Sequence, residues 1–269
     1  MTTATGGGGE SKVPAVTLTF WIAKILATTL GETAGDTVSM TWLGETTAQA
    51  GQNGINGYLV GTALFGLALA LLVALQVRAR RYQPALYWAT IIASTTAGTT
   101  LADFADRSLG IGYAGGSLLL LLAVLASLAS WKLVEGRVSS THVVSGRAEL
   151  FYWLTITFSQ TLGTALGDWA ADGGGLGYLG GAALFGGAIA IVAALYFTTN
   201  LNRTALFWAA FILTRPLGAT VGDFLDKPLA EGGLDLSRPI ASLCLAIVLV
   251  AVVAVGVRRS GTESEQGGA

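Results

Sequence analysis

The chain has 269 residues, of which 52% are hydrophobic and only 12% are charged, and its formal net charge at pH 7 is −1. Together with a mean hydropathy of +0.63, this composition excludes a soluble globular domain and predicts an integral membrane protein. Runs such as SLLLLLAVLASLAS do not alternate between polar and apolar residues. They therefore favour membrane helices over a membrane β-barrel.

Eight apolar runs have the length of about 20 residues that a helix needs to cross a bilayer. They lie at roughly 17–40, 57–77, 84–106, 112–134, 148–171, 177–198, 204–226 and 239–257. We therefore predict an all-α integral membrane protein with eight transmembrane helices, arranged as four repeated helical hairpins.

The repeats also form a larger pattern. The segment from Gly57 to Leu109 matches the segment from Gly177 to Leu229 without a gap, for example GYLVGTALFG against GYLGGAALFG. Because each half holds an even number of helices, we expect two tandem parallel halves related by a pseudo-twofold axis along the membrane normal.

This pattern predicts the organisation of the whole chain. We expect a flexible cytoplasmic tail at 1–14, a four-helix half at 15–137, a cytoplasmic linker at 138–147, a second half at 148–258 and a flexible cytoplasmic tail at 259–269. The basic residues predict the orientation, since they cluster in the loops on one side of the predicted helices: Lys12, Arg78, Arg80, Arg81, Lys132, Arg137, Arg147, Arg203, Arg258 and Arg259. By the positive-inside rule both termini are cytoplasmic, and we expect the protein in a bacterial cytoplasmic (inner) membrane.

One spacing recurs in the first helix of every hairpin: a Trp is followed ten residues later by a Gly and five residues after that by an Asp. The four copies are Trp21, Gly31, Asp36; Trp88, Gly98, Asp103; Trp153, Gly163, Asp168; and Trp208, Gly218, Asp223. We call the glycines the frame Gly residues and the aspartates the frame Asp residues. Small residues four positions apart let such helices approach closely, so we expect these four helices inside and the second helices facing lipid.

The carboxylates of these helices are the candidate metal ligands. They are Glu32, Asp36, Asp103, Asp168 and Asp223. The frame Asp residues lie near helix C-termini, where the macrodipole disfavours a negative charge and a bound cation would relieve the repulsion. Carboxylate and hydroxyl oxygens suit manganese, magnesium or calcium, whereas zinc and copper more often bind His or Cys.

Two basic residues lie deeper in the predicted bundle. Lys24 and Arg215 are costly inside a bilayer and usually face a cavity or a partner, so we expect one of them to pair with Glu32. Alternatively, Lys24 reaches towards the cytoplasmic interface. Other polar residues of the expected transport pathway are Thr28, Thr95 and Gln160, although such residues also join helices without further function.

A second carboxylate follows the frame Asp in three of the helices. Asp106, Asp172 and Asp226 come three or four residues later, on the same helical face. They either extend the pathway or form interfacial ion pairs with Arg107, Lys227 or Arg238. The sequence leaves both alternatives open.

The segments TTLGETAGD, YWATIIASTTAGTTLADFADR and FWAAFILTRPLGATVGDFLDKP resemble a family of bacterial multispan proteins described only as uncharacterised membrane-anchored proteins. The resemblance covers the eight predicted helices. It implies the architecture of the chain, but it does not imply any particular activity. The repeated Gly-Asp elements are also similar to those of small cation exchangers with Glu-x-Gly-Asp repeats, although the acidic spacing differs.

Our leading hypothesis is a transporter or permeation protein for a cation, with a divalent metal, manganese first, as cargo. Proton coupling through Glu32 and the frame Asp residues is an extension of it. The alternative is a non-transporting receptor or scaffold with an acidic mouth. We expect no enzyme, no organic cofactor and no nucleic-acid partner; the lipid bilayer and a small inorganic cation are the expected partners, and a homo-oligomer stays open.

Overall fold

The computed structural model describes residues 11–45, 54–141 and 143–266, and every regular element within these ranges is helical. The prediction of an all-α protein is confirmed for this part of the chain. The eight long helices are α1 (Leu18–Asp36), α2 (Gly57–Arg78), α3 (Pro84–Asp103), α4 (Tyr113–Glu135), α5 (Gly146–Asp168), α6 (Gly177–Thr198), α7 (Arg203–Asp226) and α8 (Arg238–Gln266).

The tails predicted from composition are described in part. Residues 1–10 lie outside the described ranges, and the backbone amide of Lys12 donates to the carbonyl of Val143 before α5. At the other end, the backbone of α8 continues to Gln266, beyond the end predicted near residue 257.

Local sequence explains where several helices begin. The side chains of Asn56, Ser145 and Asn202 precede α2, α5 and α7, and each accepts a hydrogen bond from a backbone amide in the first turn of its helix. Such caps satisfy amide groups that have no partner inside the helix. Pro84 opens α3, where its missing amide hydrogen is not needed.

Short π-helical segments directly follow three of the helices. They cover Thr37–Trp42 after α1, Phe104–Ser108 after α3 and Trp169–Gly173 after α5. Each begins one residue after a frame Asp, so the backbone widens just beyond the predicted site. Segments of this kind are rare and occur frequently at functional sites.

Four helices form a closed inner ring. Helix α1 packs against α3 and α7, and α5 packs against the same two helices from the opposite side. We call α1, α3, α5 and α7 the inner helices. They are the helices that carry the frame residues, as the small-residue pattern predicts.

The other four helices, α2, α4, α6 and α8, cover this ring, and we call them the outer helices. Helix α2 packs along α3, α4 along α5, and α6 along α7, while α8 returns to pack along α1. Helices α2, α4 and α6 therefore each lie against the inner helix that follows them, and α8 lies against the first one; none of the four packs mainly against its predicted hairpin partner. The connection at residues 79–83 is short, which favours antiparallel packing of α2 with α3.

The outer helices expose apolar side chains over most of their surface. Leu67 and Leu118, for example, are exposed, as are many other large hydrophobic residues of this shell. Five helices are long and apolar enough to cross a membrane, namely α2, α4, α6, α7 and α8. They indicate a membrane protein, since a soluble chain would bury such faces against other protein.

Candidate functional site

The frame Gly residues bring the inner helices into close contact. Gly31 faces Thr95, Gly98 faces Gln160, Gly163 faces Arg215 and Gly218 faces Thr28, and a Cβ atom at any of these glycines would overlap the facing helix. Each contacted residue lies three positions before the frame Gly of its own helix. We call these residues, Thr28, Thr95, Gln160 and Arg215, the central layer; all four are fully buried.

The frame Asp residues are joined in pairs by two basic residues. Arg107 lies in the π-helical segment after α3; its Nε atom lies 2.8 Å from Asp103 at the end of α3, and its Nη2 atom lies 3.2 Å from Asp168 of α5. At the opposite side of the ring, Lys227 Nζ lies 3.1 Å from Asp223 and 2.5 Å from Asp36 of α1. All four carboxylates are buried. Each basic residue therefore ties two neighbouring inner helices together.

Three carboxylates lie close enough to share one metal ion. Glu32, Asp36 and Asp223 each offer an oxygen atom, and these atoms lie within 4.8 Å of one another. Carboxylate oxygens are ligands that manganese, magnesium and calcium accept. In the described arrangement the ammonium group of Lys227 occupies the position of a shared cation between Asp36 and Asp223.

Arg215 links the inner helices at the middle of the bundle. Its Nη2 atom lies 2.7 Å from Glu32 Oε2 and donates to the hydroxyl groups of Thr99 and Thr164, both at 2.6 Å. A single guanidinium nitrogen thus contacts residues of the other three inner helices. The sequence left Lys24 and Arg215 as alternative partners of Glu32, and Arg215 is the one that forms the pair.

Lys24 is buried without a hydrogen-bond acceptor among the described residues. Its side chain is 0% exposed, and its ammonium group lies 4.2 Å from the centre of the Phe211 ring. It does not reach towards an aqueous interface, which was the alternative interpretation. An aromatic face attracts a cation but does not replace a counter-ion.

Aromatic residues close the end of the ring opposite the frame Asp residues. Phe20, Tyr87, Tyr152 and Phe207, one from each inner helix, are buried there. The hydroxyl groups of Tyr87 and Tyr152 lie 2.7 Å apart, and the rings of Phe20 and Phe207 are 6.2 Å apart. All four inner helices therefore contribute to a buried aromatic layer at this end of the ring.

The remaining predicted residues occupy different environments. The Thr28 hydroxyl contacts the carbonyl of Thr214 in α7 at 3.0 Å, so it joins two inner helices. Asp106 and Asp226 are buried, with Arg238 Nε 3.6 Å from Asp226, whereas Asp172 is exposed. Asp172 is therefore not one of the buried carboxylates.

Arg107 and Lys227 are site residues that the candidate set from the sequence lacks. The sequence indicates them only as interfacial partners of the second carboxylates, yet they bind the frame Asp residues themselves. Two features of the sequence point to these residues. Each follows its frame Asp by four residues, and they occupy equivalent positions in the matching segments DFADR and DFLDK.

A family of repeats matches nearly all of this helical region. The family is described as Repeat of Unknown Function (DUF347), and it matches residues 19–82, 86–137, 151–202 and 206–262. The chain belongs to this family. Each DUF347 match holds one inner helix and the outer helix that follows it, which agrees with the internal repeat predicted from the frame spacing. No curated protein and no solved structure matches the chain significantly.

Proposed function

We propose that this DUF347 protein moves a cation across a membrane along the axis of the inner ring. A divalent metal is the candidate cargo, with manganese first. The main support is the group of Glu32, Asp36 and Asp223, whose oxygen atoms converge inside the inner ring, while the outer helices around the ring expose apolar side chains. Ionisable residues are expensive in a bilayer and commonly mark an ion pathway.

In this proposal all eight long helices cross the membrane. Helices α1, α3 and α5 are more polar than the five apolar candidates, but most of their hydroxyl groups and the carboxylates Glu32, Asp36, Asp103 and Asp168 are buried, and the outer helices cover the ring. We place both chain ends in the cytoplasm because the basic loops lie on that side of the bundle. The end of the ring that carries the frame Asp residues, which we call the acidic end, then faces outward.

Access to the site requires the ion pairs at the acidic end to separate. Lys227 joins α7 to α1 and Arg107 joins α3 to α5. In the proposal, α1–α4 and α5–α8 are tandem halves related by a pseudo-twofold axis, so these two residues are equivalent and both cross the boundary between the halves. A metal ion that displaces the Lys227 ammonium from Asp36 and Asp223 would release one of these links. Movement of one half against the other would then open the path.

The same ion pairs also favour a second candidate function. Arg107 and Lys227 occupy the carboxylates in a closed arrangement, which is what a static receptor or scaffold requires. In that case the acidic end would bind a metal or a partner without transport.

Metal flux into liposomes separates these two functions. Wild-type protein should admit manganese, and the variant Asp36→Asn, Asp223→Asn, Lys227→Met should reduce the flux by about tenfold or more, since each charged ligand contributes more than about 1 kcal/mol. Removing Lys227 with its two partners avoids a buried ammonium group without a counter-ion. The control is Glu231→Gln, because Glu231 is exposed.

The same flux measurement can also rule out transport. If wild-type protein moves neither manganese, magnesium, calcium nor protons, the transport proposal is wrong. Manganese binding that persists without flux and is lost in the triple variant would then support the receptor or scaffold.

A further inference from the structure

A cavity of about 490 Å³ lies at the end of the bundle opposite the acidic end. The residues that line it come from the segment before α1, from the first turns of α1 and α3, and from the second half of α8. Its inner side is formed by Phe20, Ala23 and Trp88, which are buried. Its rim includes Ala15 and Val257, which are exposed. The cavity therefore opens at the surface of the bundle.

The lining of this cavity is mainly apolar. None of the described residues that line it is charged, and Thr17, Thr19 and Tyr82 are among the few that carry a hydroxyl group. The volume lies in the range of about 300–1,000 Å³ that is typical of ligand sites. Beside the rim, α8 exposes Val250 and Val255. An occupant that enters from the surface therefore passes along apolar side chains, which suits a hydrocarbon chain.

Contacts outside the cavity hold its walls in place. The hydroxyl of Ser11 donates to the carbonyl of Thr141 at 2.7 Å, and the Lys12 ammonium lies 2.8 Å from Glu149 of α5. On the α8 side, a Cβ atom added at Gly256 would lie 3.0 Å from the methyl group of Thr19, so the two helices approach closely there. The walls are thus formed before anything enters, and binding does not require them to be ordered.

Positive charge flanks the mouth of the cavity. Arg81 directly precedes the lining residue Tyr82, and Arg258 directly follows the lining residue Val257. Arg80 and Arg81 are exposed and form no ion pair with another residue that the structure describes. Helices α1 and α3 also begin here, and the N-terminal ends of helices attract anions. The mouth therefore favours a negatively charged group next to an apolar interior.

We propose that this cavity binds one anionic phospholipid. One acyl chain would lie against Phe20, Ala23 and Trp88, and the phosphate group would lie at the mouth, near Arg80 and Arg81. A single lipid molecule matches both parts of the site, whereas a soluble anion would leave the apolar part unfilled and a polar peptide would not suit its lining. The lipid would contact α1, α3 and α8 together. This site is separate from the carboxylates at the acidic end and goes beyond cation transport.

Native mass spectrometry of the purified full chain in an uncharged detergent tests the proposal, because it counts bound lipid molecules and protein chains in one measurement. Dioleoyl phosphatidylglycerol is compared with dioleoyl phosphatidylcholine, which has the same acyl chains without the net negative charge. Wild-type protein should bind one phosphatidylglycerol per chain saturably. Its affinity for this lipid should exceed that for phosphatidylcholine by about tenfold or more, since basic residues attract anionic lipids.

A tryptophan at the rim tests the place of binding. Val257→Trp puts a large side chain into the mouth and should weaken phosphatidylglycerol binding by about tenfold or more, because the acyl chain loses apolar contact. Val255→Trp is the matched control. Val255 does not line the cavity and is 47% exposed, against 45% for Val257, so this variant should bind lipid like wild type. Both changes affect exposed positions of α8 and should leave the protein folded.

The basic residues at the mouth are tested separately. The double variant Arg80→Gln, Arg81→Gln should reduce the preference for phosphatidylglycerol over phosphatidylcholine by about tenfold, with phosphatidylcholine binding unchanged. The control is Arg137→Gln, Arg147→Gln, which removes two exposed arginines from the same end of the bundle, away from the cavity. This control should keep the preference of wild type.

Several results would overturn the proposal. It is wrong if wild-type protein binds no lipid saturably, if it binds the two lipids equally, or if Val257→Trp binds phosphatidylglycerol as well as Val255→Trp does. If wild-type protein is a dimer that only Val257→Trp converts to monomers, the cavity belongs to an interface with a second copy of the chain, and the lipid site is also wrong. The measurement uses neither manganese nor a gradient, so a failure of the transport proposal leaves its outcome unaffected.

Discussion

Arg215 is the residue on which the interior of the ring depends most directly. One of its nitrogen atoms contacts Glu32, Thr99 and Thr164 at once, and its side chain is fully buried. A guanidinium group suits this place because it keeps its charge and presents several donors in a fixed geometry. The neighbouring Pro216 removes a backbone hydrogen bond from α7 and so relaxes the helix at this point.

Arg215→Gln should lower the free energy of unfolding by about 3–5 kcal/mol, because Glu32 would remain buried without its cation. The double variant Arg215→Gln, Glu32→Gln should recover a large part of this loss, since it leaves no unpaired carboxylate. Thermal unfolding of the purified protein in detergent measures both. If the double variant loses the sum of the two single effects, the pair has no mutual stabilisation.

The roles of single residues were only partly predictable from the sequence. The frame spacing correctly placed Glu32 and the frame Asp residues on helices that pack together. It could not decide between Lys24 and Arg215 as the partner of Glu32, because that choice depends on how α1 and α7 are rotated and shifted against each other. For the same reason the bridges made by Arg107 and Lys227 to neighbouring helices were not foreseen.

At the level of helices, the frame Gly residues determine how closely the inner ring can pack. Each presents its backbone to a central-layer side chain of the next helix. Small residues allow this approach in lipid, where the hydrophobic effect does not drive helices together. The small-residue pattern therefore predicted the inner helices correctly, while the packing of the outer helices follows the short connections that lead from α2 to α3 and from α6 to α7.

Gly163→Ala should destabilise the protein by about 1–3 kcal/mol, because the added methyl group would overlap the Arg215 side chain and force α5 and α7 apart. Gly187→Ala is the matched control. It lies in α6 with open space around it, and alanine should stabilise a helix interior there by about 0.5–1 kcal/mol. Unfolding in detergent measures both variants, and destabilisation by Gly187→Ala as large as that by Gly163→Ala would contradict the argument.

At the level of the whole molecule, α8 completes the shell by packing along α1. The hydroxyl of Ser242 donates to Thr33 at 2.9 Å, and Leu249 is buried in the core that includes Phe20 and Ala23. The outer shell is thus closed by a contact between the first and the last of the eight long helices. The stability of the protein should depend on this contact as much as on any contact between consecutive helices.

Leu249→Ala should lower the free energy of unfolding by about 2 kcal/mol, because it leaves a cavity between α8 and α1. Leu243→Ala makes the same change on the exposed face of α8, where Leu243 is 61% exposed, and should stay within about 0.5 kcal/mol of wild type. Equal losses in the two variants would mean that α8 does not pack along α1 as described.

The return of α8 to α1 has a consequence for biosynthesis. A ribosome produces α1 first among the eight helices and α8 after all the others. Helix α1 carries Lys24, Glu32 and Asp36, and a charged residue at the centre of an inserting helix costs about 2.5–3.5 kcal/mol. During most of translation this polar helix has neither its ring partner α7 nor its cover α8. In the proposed topology of eight membrane-spanning helices, the insertion machinery would therefore have to retain or protect α1 until the C-terminal repeat emerges, and a chain that stalls before α8 would leave this charged helix without its cover.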